Sequence, residues 1–455
     1  MSALDGSIVN ISLPAIGSYF NIAITTVEWV VLSYLIIISS LLLTFGRLGD
    51  LYGHKKIYVI GFAIFTAGSL FCALSSSIIQ LVIFRVIQAV GAGMLMSMGP
   101  AIITLYAPAE RRGRYLGIIG ISVSIALSAG PVLGGFLTTL FGWQSIFLIN
   151  IPIGIIAFIW AIKVLPSAKQ AEKYPFDFKG AIILFFALTF IIFPLSLIDR
   201  LGINNPIMIG SFVLGIGLSM LFVFAELNTK HPLFEFSMFR SRIFLMGNIS
   251  LLLNFIAQFT VALIIPFYLI EFRNFSAAIA GLILIASPLV ALVVTPLAGY
   301  LTDHYETRFI SSGGMVLITA GLFLLGLLNK NSNIAYIVLC LAITGLGIGM
   351  FQTPNNYAIM SSVAPNRRGT ASSMLATMRN LGMVFGASLS GSLFSYRQIY
   401  LTKIYTLKTI TGPDLNNMVF TGAMRFTFTV GAILACAAII ASLVMGSAKH
   451  GKKAS

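Results

Sequence analysis

The chain has 455 residues, 58% of them hydrophobic and only 9% charged, with a formal net charge of +15. A soluble domain carries about a quarter charged residues, so this much apolar surface needs lipid around it, and a soluble fold is excluded. In a soluble protein the positive balance would point to nucleic acid; in a membrane chain it is explained by basic residues gathered in cytoplasmic loops.

A helix needs about 20 apolar residues to cross the hydrocarbon core. By that measure the sequence predicts fourteen spans. The first six lie near 3–20, 27–46, 57–75, 78–104, 114–140 and 145–165. Two more lie near 177–199 and 205–227, and the last six near 243–270, 277–301, 308–328, 334–361, 369–396 and 421–446. Backbone groups in lipid must satisfy one another, so the expected class is an all-α polytopic membrane protein. The first span looks short at its start: Asp5 follows Met1 almost at once with no basic lead-in, which reads as a start lying upstream or a trimmed N-terminus. There is no cleavable signal pattern. Cys72, Cys340 and Cys436 all lie in apolar runs and read as small fillers, not as metal or disulfide positions.

Loops after even-numbered spans hold Arg47, Lys55 and Lys56, then Arg111, Arg112 and Arg114, and later Lys163, Lys169, Lys173 and Lys179. The first three odd-numbered loops hold no basic residue. The positive-inside rule therefore expects both termini in the cytoplasm of a multi-pass cell-membrane protein.

An internal repeat is visible. APAERRG (107–113) follows the fourth span and APNRRG (364–369) the twelfth. GRLGDLYGHKK (46–56) is echoed by GYLTDHYETR (299–308), and Asp50 to Asp303 is nearly the same separation as Gly113 to Gly369. Two matches at one offset predict two related six-helix halves, 1–165 and 241–455, with 166–240 as an inserted two-helix segment. Halves of this kind, rocking about a site near the midplane, describe a transporter.

These stretches resemble a known family. GRLGDLYGHKK is similar to the signature loop of the major facilitator superfamily, and RVIQAVGAG (85–93) to its fourth-helix motif. GPVLGG (130–135) is similar to the fifth-helix motif of its antiporters. LDGSIVNISLP (4–14) and the stretch 349–382 resemble the fourteen-span drug:proton antiporter branch. The chain departs from the pattern at His54, Glu306, Gln144 and Ser145.

Asp5 is the only carboxylate the sequence places within a span away from its ends. A membrane carboxylate is costly and marks a functional site by default. It reads as a proton carrier or as counter-charge for a cationic substrate; the bland alternative is a structural ion pair. Arg85, inside the fourth span, cannot lose its proton and needs a partner. The resemblance links its position to proton coupling, and the expectation is that Asp5 and Arg85 sense each other across a cavity. Arg379 and Asn380 fall mid-span in the thirteenth helix with no obvious acidic partner. Gly130, Pro131, Gly134 and Gly135 put small residues where two helices can approach closely. Gly46, Asp50, Gly53 and Lys55 form a charged hairpin that the resemblance makes a conformational latch, with Asp303 and Arg308 as its weaker counterpart. Asn10, Trp29, Tyr34, Gln88, Asn254, Gln258, Tyr268, Gln352, Asn355 and Asn356, with Arg379, are candidate substrate-cavity residues, polar or aromatic points on apolar helices.

The leading expectation is a secondary transporter that exports hydrophobic or cationic compounds by proton antiport, as a monomer in the bilayer. It needs no cofactor beyond the proton gradient, no metal and no nucleic acid. A dedicated exporter of one metabolite, antibiotic or peptide is the alternative, which the scarcity of deep acids favours. A membrane enzyme would need a carboxylate pair or a histidine cluster, yet His54, His231, His304 and His450 are scattered. A receptor or scaffold would use long intracellular loops, which are absent.

Overall fold

The computed structural model describes residues 1–106, 112–166, 178–195, 205–228, 236–364, 368–407 and 413–446. Among them there is no strand. In chain order the helices are α1 (Ser2–Phe20), α2 (Ile24–Val27), α3 (Trp29–Tyr52), α4 (His54–Ala73), α5 (Ile78–Tyr106), α6 (Arg112–Phe141), α7 (Ser145–Leu148), α8 (Asn150–Val164) and α9 (Phe178–Leu195). They continue with α10 (Pro206–Asn228), α11 (Arg242–Phe267), α12 (Ala277–Leu284), α13 (Ala286–His304), α14 (Thr307–Leu325), α15 (Ile334–Ser361), α16 (Arg368–Leu407) and α17 (Pro413–Val444). A 3₁₀ turn, Phe236–Arg240, leads into α11, and a π-helical turn, Tyr268–Phe272, ends it.

The fourteen predicted spans each correspond to one helical rod, three of them broken. The second is α2 with α3, the sixth α7 with α8, and the tenth α12 with α13. Ten helical runs among the described residues are long and apolar enough to cross a membrane, and Ile125–Phe141 and Ile182–Pro194 are shorter apolar stretches. The rods outside both groups, α1 and α16, carry Asp5, Asn10, Arg379 and Asn380. Polar side chains within them lower their apparent affinity for lipid. Large apolar side chains face outward elsewhere: Trp160, Val213 and Phe224 are each about two-thirds exposed, as lipid-facing positions must be.

Packing divides the chain into two compact units. The first comprises Met1–Leu233, Leu263–Ile285 and Ala387–Tyr396; the second comprises Phe234–Ala262, Ala286–Gly386 and Arg397–Ser455. Glycines set the close crossings within each unit. In the first, a Cβ on Gly68 would strike the backbone of Gln88, and one on Gly91 the backbone of Phe65, so α4 and α5 touch through their main chains. In the same unit Gly215 of α10 abuts Phe190 and Ile191 of α9, and Trp29 of α3 meets Phe193 edge-on at 5.9 Å. In the second unit, Gly314 and Gly347 pack α14 against α15 in the same way.

The hairpin between α3 and α4 turns on Gly53, whose φ of +93° a side chain would strain. Next to it Lys55 donates from Nζ to the carbonyls of Ile162 (2.8 Å) and Leu165 (2.6 Å). A cation thus caps the C-terminal end of α8, where the helix dipole is negative. Gly46 leaves room beside Ser97, and Gly49 lets Met98 of α5 approach. The Asp50 and Asp303 side chains lie outside the described residues, as do the loops 107–111 and 365–367. Arg308 pairs from Nε with Glu306 Oε2 at 2.6 Å in a partly exposed turn.

Candidate functional site

Asp5 sits in the first turn of α1 and is fully buried, at 0% exposure. Arg85, 1% exposed, reaches it from α5: Nη1 lies 2.6 Å from Asp5 Oδ2. A buried guanidinium must have its N–H groups answered, and here neighbours of several kinds do so. Nε donates to the Val30 carbonyl at 2.9 Å, and Nη1 also donates to Gln88 Oε1 at 2.6 Å. The ring of Tyr34 lies 4.0 Å from the guanidinium carbon, a cation–π contact. Val30 and Tyr34 both come from α3.

Gln88 follows Arg85 by one turn on α5, so both side chains fall on one face. Its oxygen is taken by Arg85, which turns its amide nitrogen towards Asp5. That nitrogen donates to Asp5 Oδ1 at 2.9 Å and to Ser69 Oγ of α4 at 2.7 Å. Asn150, the first residue of α8, donates to the same Asp5 oxygen at 3.0 Å. Five helices, α1, α3, α4, α5 and α8, therefore converge on one buried ion pair. Removing one partner of such a pair costs about 3–5 kcal/mol, because the other is left charged and uncompensated.

Of the residues predicted for the site, Asp5, Arg85, Gln88 and Tyr34 come together in this network. Asn10, one and a half turns further along α1, is buried with its Oδ1 unanswered. Tyr268 is fully buried and accepts from Arg273 Nη1 at 3.1 Å. Trp29 packs on α9. Asn254, Gln258, Gln352, Asn355, Asn356 and Arg379 belong to the second unit. There Asn355 Nδ2 donates to the Gly247 carbonyl at 3.2 Å, while Gln352, Asn356 and Arg379 are half-buried.

The glycine motif of α6 divides its work between two neighbours. Gly130 and Gly134 accommodate Ser7, Ile8 and Ile11 of α1, so the helix that carries Asp5 lies directly on them. Gly135 meets the Ala277 carbonyl, and the Pro131 carbonyl meets Gly281, both on α12. Ser12 Oγ and Thr138 Oγ1 add a 2.7 Å hydrogen bond between α1 and α6.

Sequence reasoning missed Ser69 and Asn150. Asn150 stands in the apolar run INIPIG, where a lone amide could have flagged it. It also passed over Glu28, whose side chain is fully buried where α2 meets α3. Its carboxylate lies against Gly391 of α16 so closely that a methyl there would overlap it.

The family model described as the Major Facilitator Superfamily matches residues 1–387 and again 247–454. A riboflavin transporter, RibZ, of Clostridioides difficile (strain 630) is 37% identical over 409 residues, 89% of this chain and 87% of that protein. A multidrug resistance protein B homolog of Mycobacterium tuberculosis (strain ATCC 25618 / H37Rv) is 28% identical, covering 90% and 77%. Among solved structures, a bacterial homologue of the human lysosomal transporter Spinster aligns with a TM-score of 0.73 at 15% identity, covering 98% of this chain and 94% of that one; at that identity the likeness speaks for the fold alone. Two family matches that overlap on one chain, together with the all-helical architecture, lead to one statement: this chain belongs to the Major Facilitator Superfamily and is a membrane transporter.

Proposed function

We propose that the protein is a proton-coupled antiporter that exports a small molecule by alternating access, with Asp5 as the proton carrier and Arg85 as its sensor. The observation that carries this reading is the enclosed Asp5–Arg85 pair with its 2.6 Å contact. Adding a proton to Asp5 removes the charge that holds Arg85. The guanidinium then keeps the Val30 carbonyl, Gln88 and the rings of Tyr34 and Phe147. Because α1 rests on the glycines of α6, a shift of α1 is passed to α6, which also carries the α12 contact. In this way one proton biases a helix arrangement with two packings.

For the cargo, hydrophobic or cationic drugs are the first reading, in keeping with the relatives named as multidrug resistance proteins. A dedicated exporter of one metabolite is the second, and the higher identity to a riboflavin transporter favours it. The test is reconstitution in proteoliposomes with an imposed pH gradient, comparing wild type with Asp5→Asn and Arg85→Ala. Gradient-driven flux is expected to vanish in both variants, while each still elutes as a folded protein. Flux unchanged in both would remove the coupling role.

A further inference from the structure

Two arginines of the second unit, Arg397 of α16 and Arg425 of α17, have no acid to answer them. Among the described residues neither has an acidic partner. Helix α16 contains no Asp or Glu. The one acid of α17 is Asp414, in its first turn, about 16 Å along the helix from Arg425.

The two helices run antiparallel, and two contacts fix their register. Leu401 fills the space beside Gly422, and the Arg397 guanidinium lies 5.3 Å from the ring of Phe426. Each step up α16 is therefore a step down α17. This register sets Arg397 and Arg425 one residue apart in level, about 1.5 Å. Arg397 also faces the ring of Tyr400 at 5.0 Å. Rings meet the face of a guanidinium and leave its in-plane N–H groups free to donate. Its Nε is buried and unanswered.

The depth of this pair follows from α17. Arg425 is exposed, and it heads a stripe that continues through Ile433, Ile440 and Leu443, which are 62%, 64% and 44% exposed. Spacings of 8, 15 and 18 residues keep all four on one side of a helix. From Arg425 to Leu443 is about 27 Å, close to the roughly 30 Å of the hydrocarbon core. With Leu443 at one edge of the core, Arg425 stands at the other, among the headgroups. The loop pattern of the sequence expects this end outside, where the first three connections hold no basic residue. Cations gathered here therefore have a cause other than orientation.

We propose that Arg397 and Arg425 form a binding site for the headgroup phosphate of an anionic phospholipid, whose acyl chain lies along the Ile433–Ile440 stripe. Arginine pairs with phosphate oxygens through two parallel hydrogen bonds. Tyr400, 46% exposed, suits the boundary between water and lipid. Two cations with no acid nearby favour a headgroup such as glycerol. The ammonium of a zwitterionic lipid would meet two like charges and find no carboxylate.

The experiment uses purified full-length protein in mixed micelles. They hold equal amounts of phosphatidylglycerol and phosphatidylcholine with the same acyl chains. Bound lipids are counted by native mass spectrometry. Wild type is expected to retain phosphatidylglycerol about tenfold over phosphatidylcholine, the scale of a charge-assisted hydrogen bond. Arg397→Gln and Arg425→Gln should each bring the two lipids near parity. Arg425 is exposed, so its replacement leaves the packing in place, and its result stands even where Arg397→Gln disturbs the Phe426 contact. Lys330→Gln removes an exposed cation elsewhere in the same unit and should keep the wild-type preference. Excess inorganic phosphate is expected to leave the lipid bound. Four results would overturn the proposal: no preference in wild type, preference intact in both arginine variants, an equal loss in Lys330→Gln, which would mean general charge attraction, or displacement by inorganic phosphate, which would mean a site for free anions. None of these readouts involves cargo or a proton gradient, so they stand apart from the antiport reading.

Discussion

Asn150 and Gln88 donate to the same oxygen of Asp5, at 3.0 and 2.9 Å, from helices α8 and α5. The carboxylate is thereby tied to the start of α8 as well as to Arg85, and a change at Asp5 is felt by both helices.

Replacing Asn150 with Ala removes one of those donors. Stability is expected to fall by about 1.5–3 kcal/mol, the size of a hydrogen bond to a charged group. In an Asp5→Ala background the same replacement should cost much less, because its partner is already gone. Thermal denaturation of the four proteins in a double-mutant cycle gives the coupling directly; additive losses would show that Asn150 does not act through Asp5.

Arg85→Ala leaves Asp5 buried without its cation and should cost about 3–5 kcal/mol. The double variant Asp5→Asn with Arg85→Gln replaces the pair by neutral hydrogen-bonding groups. It is expected to regain most of that stability while remaining inactive in gradient-driven flux. Recovery of both properties together would mean that the pair is structural only.

Gly391→Ala places a methyl in the space occupied by the Glu28 carboxylate. Overpacking of this kind typically costs about 1–3 kcal/mol. Adding Glu28→Ala should restore the thermal midpoint, whereas Glu28→Gln, which keeps the volume, should not. A midpoint unchanged by Gly391→Ala alone would show that the Glu28 side chain swings aside to admit the methyl.

Gly281→Ala tests the crossing of α6 and α12. The new Cβ would meet the Pro131 carbonyl, a backbone atom that cannot rotate away. The helices must separate, and a loss of about 1–3 kcal/mol is expected, together with a fall in transport. Gly217→Ala, on α10 with open space around its Cα, is the control and should leave the midpoint unchanged or slightly higher, as Ala favours helix.

Removing the Lys55 ammonium as Lys55→Met frees two carbonyls at the end of α8, Ile162 and Leu165. A cost of about 1 kcal/mol is expected from the lost cap and dipole interaction. It should shrink as salt is raised, which a melting series in sodium chloride would show.

The amino-acid sequence by itself determined the class of this protein. Runs of apolar residues long enough to span lipid admit only helices. It also singled out Asp5 and Arg85, because a charge inside a span is costly wherever it points. Which neighbours complete that pair was decided by the tertiary structure. Ser69, Asn150 and Gln88 come from three helices, and the rotation of each helix about its axis selects its partners. Helices that are apolar all round carry no stripe from which that rotation could be read. For the same reason GPVLGG announced close packing without naming α1 and α12 as the two neighbours. The burial of Glu28 against Gly391 is likewise set by how the helices pack.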